Sequence, residues 1–206
     1  MRLRNLKNKE KILAESEKLL KDAKEHKSKW HEVFSNKNPI HLEIGMGKGD
    51  FLIEKAKTYP EINFLGIEKY DSVIARAVQK LPEDLNNIYL LRADATEIED
   101  FFDKEIDLIY LNFSDPWPKA RHANRRLTSE VFLNKYKKIF KNEMQIVQKT
   151  DNRALFEFSL INYASFSFEI KEISLDLHKS NIKNNIMTEY EKKFLAQTIY
   201  YIHVKK

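Results

Sequence analysis

Three of the chain's 4 glycines fall at alternate positions in one short stretch, His41-Leu42-Glu43-Ile44-Gly45-Met46-Gly47-Lys48-Gly49-Asp50-Phe51, between an apolar run and a helical pattern. Glycine lacks Cβ, so it accepts positive φ and lets a ligand lie against the main chain. In a sequence this poor in glycine, the cluster dictates strand, tight turn and helix, the opening unit of a nucleotide- or nucleoside-binding α/β fold. The spacing is GxGxG, whereas dinucleotide folds use GxGxxG. An acid, Glu43, precedes the first glycine, and no Ser or Thr follows Lys48 as a Walker-type phosphate loop requires.

Further along, Ile62 to Glu68 reads as a strand that ends in a carboxylate 19 residues after Gly49, the offset at which doubly wound folds hold ribose hydroxyls. Ile88 to Leu91 reads as a third strand, followed by Arg92-Ala93-Asp94-Ala95. Ile106 to Asn112 is a fourth, and it delivers Phe113-Ser114-Asp115-Pro116-Trp117-Pro118, where two prolines around a tryptophan fix an extended loop. Lys119, Arg121, Arg125 and Arg126 follow, with His122 and no acid among them. Periodicity and breaker residues predict helices over 8–28, 50–59, 70–81, 128–140 and from Asn152 to about Tyr163. Strands are expected over 40–44 and 145–149, with an antiparallel pair over 166–177 and 198–204. The whole is an α/β, Rossmann-like chain with a mostly parallel sheet and helices on both faces. A basic helical extension over 1–38 precedes a catalytic core over 39–206 in a single domain.

Composition narrows the chemistry. There is no Cys, so disulfides, thiolate metal sites and cysteine nucleophiles are excluded. The 6 His are scattered without ligand spacing, which predicts no metal. A charged amino terminus and the lack of a long apolar run predict no signal peptide, no membrane contact and a cytoplasmic protein. Residues 1–40 hold 11 Lys plus Arg against 6 Asp plus Glu, which accounts for the whole net charge of +5. A basic segment on an otherwise neutral core suits a polyanionic partner.

Glu43-x-Gly-x-Gly-x-Gly resembles the first motif of class I S-adenosylmethionine-dependent methyltransferases, whose ligand lacks a pyrophosphate and carries a cationic amino-acid tail. Taken with Gly66-Ile67-Glu68, Asn112 to Lys119, Arg121-His122, Arg125-Arg126-Leu127, Lys149-Thr150-Asp151-Asn152 and Thr188-Glu189-Tyr190-Glu191, the chain resembles the bacterial tRNA (guanine-N7)-methyltransferases over nearly its full length. The resemblance implies a seven-stranded sheet with an antiparallel last strand. It also implies S-adenosylmethionine as cofactor and methylation of a guanine in the tRNA variable loop. Cofactor contacts fall on Glu43, Gly45, Gly47, Gly49, Glu68, Asp94, Ala95 and Asp115. RNA or target-base contacts fall on Lys119, Arg121, His122, Arg125, Arg126, Asp151, Thr188, Glu189, Tyr190 and Glu191. Ser114, Ala120 and Ala123 depart from the usual family residues, and the glycine commonly found between Thr-Glu-Tyr-Glu and the last strand is missing before Tyr200.

Guanine N7 carries an in-plane lone pair, so its methylation needs alignment and charge stabilisation more than a strong base. Asp115 is the expected catalytic carboxylate, accepting from the guanine edge and facing the cationic product ring, with Asp151 and Glu189 as helpers. Trp117, Tyr190 or His122 would stack on an unstacked base. Lys119, Arg121, Arg125 and Arg126 would bind phosphates. Two other readings stay open at this level: a methyltransferase of a small molecule or protein, and a non-catalytic RNA-binding module. Whether the protein is a monomer or a homodimer is open as well.

Overall fold

The computed structural model describes residue 6 and residues 8–206; Met1 to Asn5 and Lys7 of the expected basic extension lie outside the described residues. In chain order the elements are α1 (Lys9–Glu15), β1 (Leu19–Leu20), α2 (Trp30–Val33), β2 (Ile40–Ile44), α3 (Asp50–Thr58), β3 (Asn63–Glu68), α4 (Asp71–Lys80) and β4 (Ile88–Arg92). They continue with α5 (Ile98–Phe101), β5 (Leu108–Asn112), α6 (Glu130–Ile139), β6 (Gln145–Thr150), α7 (Arg153–Ser165), β7 (Glu169–Ser174), α8 (Glu189–Lys193) and β8 (Tyr200–Lys205). Short 3-10 turns occupy Ala23–His26, Ala95–Glu97, Ala120–Arg125 and Leu177–Lys179.

All the strands join one sheet in the order β1-β4-β3-β2-β5-β6-β8-β7. β8 runs antiparallel to both its neighbours, and the other pairs are parallel. From β2 the chain steps outward through β3 to β4, then returns to β5 on the other side of β2. The strand order therefore reverses between β2 and β5, and a crevice opens at their carboxyl ends.

Both faces of the sheet are covered, which explains why the central strands read as continuous apolar runs. On one face Leu42, Ile44, Leu65, Ile109 and Ile146 pack under Phe132, Leu133, Tyr136 and Phe156. On the other, Phe64, Leu90, Tyr110 and Val147 meet Phe51 and Leu52 of α3 and Ile74 of α4. Gly66 lies in the middle of β3, where a Cβ would collide with Met46 Sδ, so the glycine allows the loop after β2 to sit tightly on the sheet.

The single helix expected over 8–28 is not formed. α1 stops at Glu15, and Leu19 and Leu20 extend to pair with Leu90 and Leu91 of β4. The Lys18 carbonyl accepts from Leu90 N–H at 2.8 Å. Without β1 the outer edge of β4 would present bare main-chain groups, and pairing them outweighs prolonging α1, a helix whose residues are at most half-buried. This short strand also makes the sheet eight-stranded instead of seven-stranded. Trp30 is 0% exposed, its indole N–H donates to Phe101 O at 2.9 Å, and it fastens the segment to α5.

Candidate active site

The glycine turn is shaped by its own backbone bonds. Gly45 N–H and Met46 N–H both donate to Ile67 O, at 2.9 and 3.1 Å, and Gly49 N–H donates to Met46 O at 3.1 Å. Gly45, Gly47 and Gly49 have φ of 76°, 59° and 77°, in the left-handed region that side-chained residues avoid. Gly45 faces a cavity of about 510 Å³ lined also by Glu68, Asp94, Ala95, Phe113, Asp115, Trp117 and Arg125. Gly49 turns away, toward Ala77 of α4.

Each acid around this cavity is held differently. Glu68 Oε1 accepts from Lys69 and Tyr70 N–H at 2.9 and 3.0 Å, and its Oε2 from Gly47 N–H at 3.3 Å. Burial pushes its carboxyl above the ordinary value, against these three backbone donors. Asp94 caps the Ala95–Glu97 turn, accepting from Thr96 N–H at 2.9 Å and Thr96 Oγ1 at 2.8 Å, and those bonds hold its carboxyl below the usual range. Glu43 is 2% exposed and lies beneath the turn, outside the cavity lining. Asn112 Nδ2 donates to its Oε1 at 2.8 Å, while Glu43 Oε2 and Asn112 Oδ1 are buried acceptors without a partner among the described residues. Burial pushes Glu43 up to about 8.

Asp115 is exposed at the cavity wall, on a loop whose Phe113 and Trp117 take φ of 51° and 41°. Such values in bulky aromatics are strained and persist only where the surroundings impose them. Phe113 N–H donates to Lys149 O at 2.8 Å, and the Trp117 end of the loop is held by Arg126, which donates from Nε to Pro116 O at 3.1 Å and from Nη2 to Trp117 O at 3.0 Å. Arg126, expected among the phosphate contacts, is thus half-buried and turned to the loop, its guanidinium 4.3 Å from the Phe158 ring. Its neighbour Arg125 stays exposed, 5.0 Å over the Trp117 indole, and His122 meets the edge of that indole at 5.6 Å. Lys119 and Arg121 are exposed beside them and outside the cavity lining.

The residues expected from the carboxyl-terminal motif form a second cluster beside the first. Thr188 and Glu191 make a capping box that starts α8, so both side chains bond within their own segment. Glu191 is buried against Lys149, whose ammonium lies 2.9 Å from its Oε2 and also donates to Asn185 Oδ1 and Ile186 O. Glu189 pairs with Lys48 of the glycine turn, and the Tyr190 hydroxyl donates to Asp151 Oδ2 at 2.8 Å. Tyr190 also packs on Phe113 with ring centroids 4.7 Å apart, which joins the two clusters. Asn112 and Lys149 were not singled out as contacts from the sequence; the available signal was a polar residue at the end of an otherwise apolar strand.

The family model described as "Putative methyltransferase" matches residues 37–201. A protein of Geobacillus sp. (strain WCH70) named tRNA (guanine-N(7)-)-methyltransferase is 49% identical over 210 residues, covering 100% of this chain and 96% of the relative. Among solved structures, one described as an antibiotic related methyltransferase superposes with a TM-score of 0.66 at 16% identity, covering 87% of this chain and 92% of that one. A SAM dependent methyltransferase from Archaeoglobus fulgidus gives a TM-score of 0.56 at 17% identity, covering 89% and 92%. The structural likenesses extend to the fold, and at nearly half its residues identical over its full length the chain belongs to the tRNA (guanine-N(7)-)-methyltransferase family.

Proposed function

We propose that the protein transfers a methyl group from S-adenosylmethionine to N7 of a guanine in tRNA. The observation that carries this reading is the convergence of Gly45, Glu68, Asp94 and Asp115, each at or just beyond the carboxyl end of a different parallel strand, on one cavity. When bound, S-adenosylmethionine supplies a methyl group activated by its sulfonium. The residues suit that cofactor. Glu68 offers a carboxylate to ribose hydroxyls, and Asp94 with Ala95 edges the place of the adenine. Glu43 Oε2 and Asn112 Oδ1, buried and unpartnered, are acceptors suited to the ammonium of the amino-acid tail.

Guanine N7 attacks with a lone pair that needs no deprotonation, and the C–S electron pair stays on sulfur. Asp115 therefore removes no proton. Its carboxylate accepts from guanine N1–H and N2–H and faces the positive charge that grows on the ring, a contact stronger in the transition state than before it. Trp117 and Tyr190 flank the loop as aromatic faces for the unstacked base. Lys119, Arg121 and Arg125, exposed beside the loop, bind phosphates and give affinity without base readout. Thr188 and Glu191 act by setting the position of Glu189 and Tyr190, which reach Lys48 and Asp151.

Methyl-labelled S-adenosylmethionine incubated with the protein and total tRNA, followed by nucleoside analysis, should place the label in 7-methylguanosine. Label in another nucleoside, or in small molecules or protein alone, would overturn the reading.

A further inference from the structure

We infer that Arg126 is a positioning residue whose guanidinium holds the Asp115 loop in its reactive geometry, and that it does not grip RNA phosphates. This deepens the tRNA-methylation reading and rests on it.

The loop from Phe113 to Pro118 is poor at holding itself. Pro116 and Pro118 have no N–H to donate, and Phe113 and Trp117 sit at φ of 51° and 41°. The carbonyls of Pro116 and Trp117 are taken by one side chain from 9 to 10 residues downstream, at 3.0 to 3.1 Å. A planar fork matches two adjacent carbonyls at fixed spacing, which a lysine ammonium does not.

The clamp has a rigid base. Two residues after Arg126, buried Thr128 Oγ1 lies 2.8 Å from Ser159 Oγ, which accepts from Gln148 Nε2 at 2.9 Å. Gln148 Oε1 in turn accepts from Tyr163 OH at 3.2 Å. Ser129 Oγ donates to Asn124 O at 3.2 Å, closing the turn from the other side. With Phe158 of α7 beneath it, the guanidinium is confined between a fixed helix and the loop. The charge that the neighbouring Arg125 presents to solvent is, at Arg126, directed inward.

The chain has 2 Trp, of which Trp30 is 0% exposed and Trp117 is half-buried in the loop, so acrylamide quenching of tryptophan fluorescence reports the loop without any reaction. Arg126→Lys keeps the charge but loses the planar fork, and Arg126→Ala removes both. Both variants should show increased quenching and a kcat on tRNA lowered by about 10²-fold, as for a catalytic group displaced by roughly 1 Å. The tRNA Kd, its salt slope and the cofactor Kd should hold. Wild-type quenching in both variants would overturn the inference. So would a salt slope smaller by about one in Arg126→Ala with binding restored by Arg126→Lys, the signature of a phosphate contact. If the wild type itself leaves tRNA unmethylated, the functional reading fails, while the quenching comparison still decides whether Arg126 holds the loop.

Discussion

Asp115 and Glu43 are both carboxylates after or within a strand, but their surroundings give them opposite tasks. Asp115 is exposed, and no side chain or main-chain donor of the described residues bonds its carboxylate. Asp115→Asn keeps one acceptor but turns an amide toward the guanine donors, so kcat should fall about 10²–10³-fold with tRNA affinity little changed. A near-normal single-turnover rate would reassign Asp115 to a loop anchor. Glu43 is protonated in the cofactor-free protein until pH approaches about 8, because burial raises it. Its folded value lies above the unfolded one, so the stability it contributes is complete below the ordinary carboxylate range and is lost as pH rises toward about 8. Cofactor affinity should run the other way, climbing through the same window as the carboxylate forms to meet the ammonium. Calorimetry on Glu43→Gln should show both dependences flattened, and a pH-independent wild type would remove Glu43 from the ammonium site. The strand-end acids were legible in the sequence because position after a glycine turn sets their direction. Arg125 and Arg126 were not separable, since adjacent residues at the end of a 3-10 turn face different ways only once the loop and α7 are in place.

Among the elements, α8 carries the most unexpected packing. The sequence presents Thr188-Glu189-Tyr190-Glu191 as a row of substrate contacts, although Thr-x-x-Glu is also the signature of a capping box. The structure divides the row by helical geometry: Glu189 and Tyr190 reach Lys48 and Asp151, and Glu191 turns inward. Burial alone would raise the Glu191 carboxyl, but the Lys149 ammonium and Thr188 N–H hold it below its ordinary value. The Lys149 and Glu191 side chains are 4% and 0% exposed, so removing one partner strands a buried charge. Glu191→Ala should therefore cost about 3–5 kcal/mol in denaturant unfolding. Glu189→Ala, whose ion pair is partly open to water, should change stability by no more than about 1 kcal/mol. Equal losses in the two variants would contradict this division. The amino-terminal segment failed as a helix for a comparable reason: heptad-like leucines are visible in sequence, but the open edge of β4 that claims Leu19 and Leu20 is not.

Over the whole molecule, the cavity acids Glu68, Asp94 and Asp115 and the neighbouring Arg125 lie at the carboxyl ends of the parallel strands. The doubly wound order was legible as alternating strands and helices, because covered parallel strands leave continuous apolar runs. The register and the interior place of β8 depend on contacts far apart in sequence, such as Thr150 with Tyr200, which no local pattern encodes. With the exposed cations Lys119, Arg121 and Arg125 gathered beside the cavity, the double variant Arg121→Ala/Arg125→Ala should lower the slope of log K for tRNA against log salt by about two, one per lost phosphate contact, and leave cofactor binding unchanged. An unaltered slope would mean that RNA approaches over another face.

The place of β8 also has a consequence for how the protein is made. The strand latest in the chain sits between β6 and β7, so during synthesis β6 waits with an open edge and β7 has no neighbour in the sheet. Translation at about 5–20 residues per second makes that interval last seconds for a strand that follows β6 by some 50 residues. The early α/β half, β2 to β5, holds the cofactor stations and is complete before then. A ribosome stalled between residues 150 and 200 would thus display an aggregation-prone strand edge beside a nearly finished cofactor cleft, and would be a natural client for a chaperone.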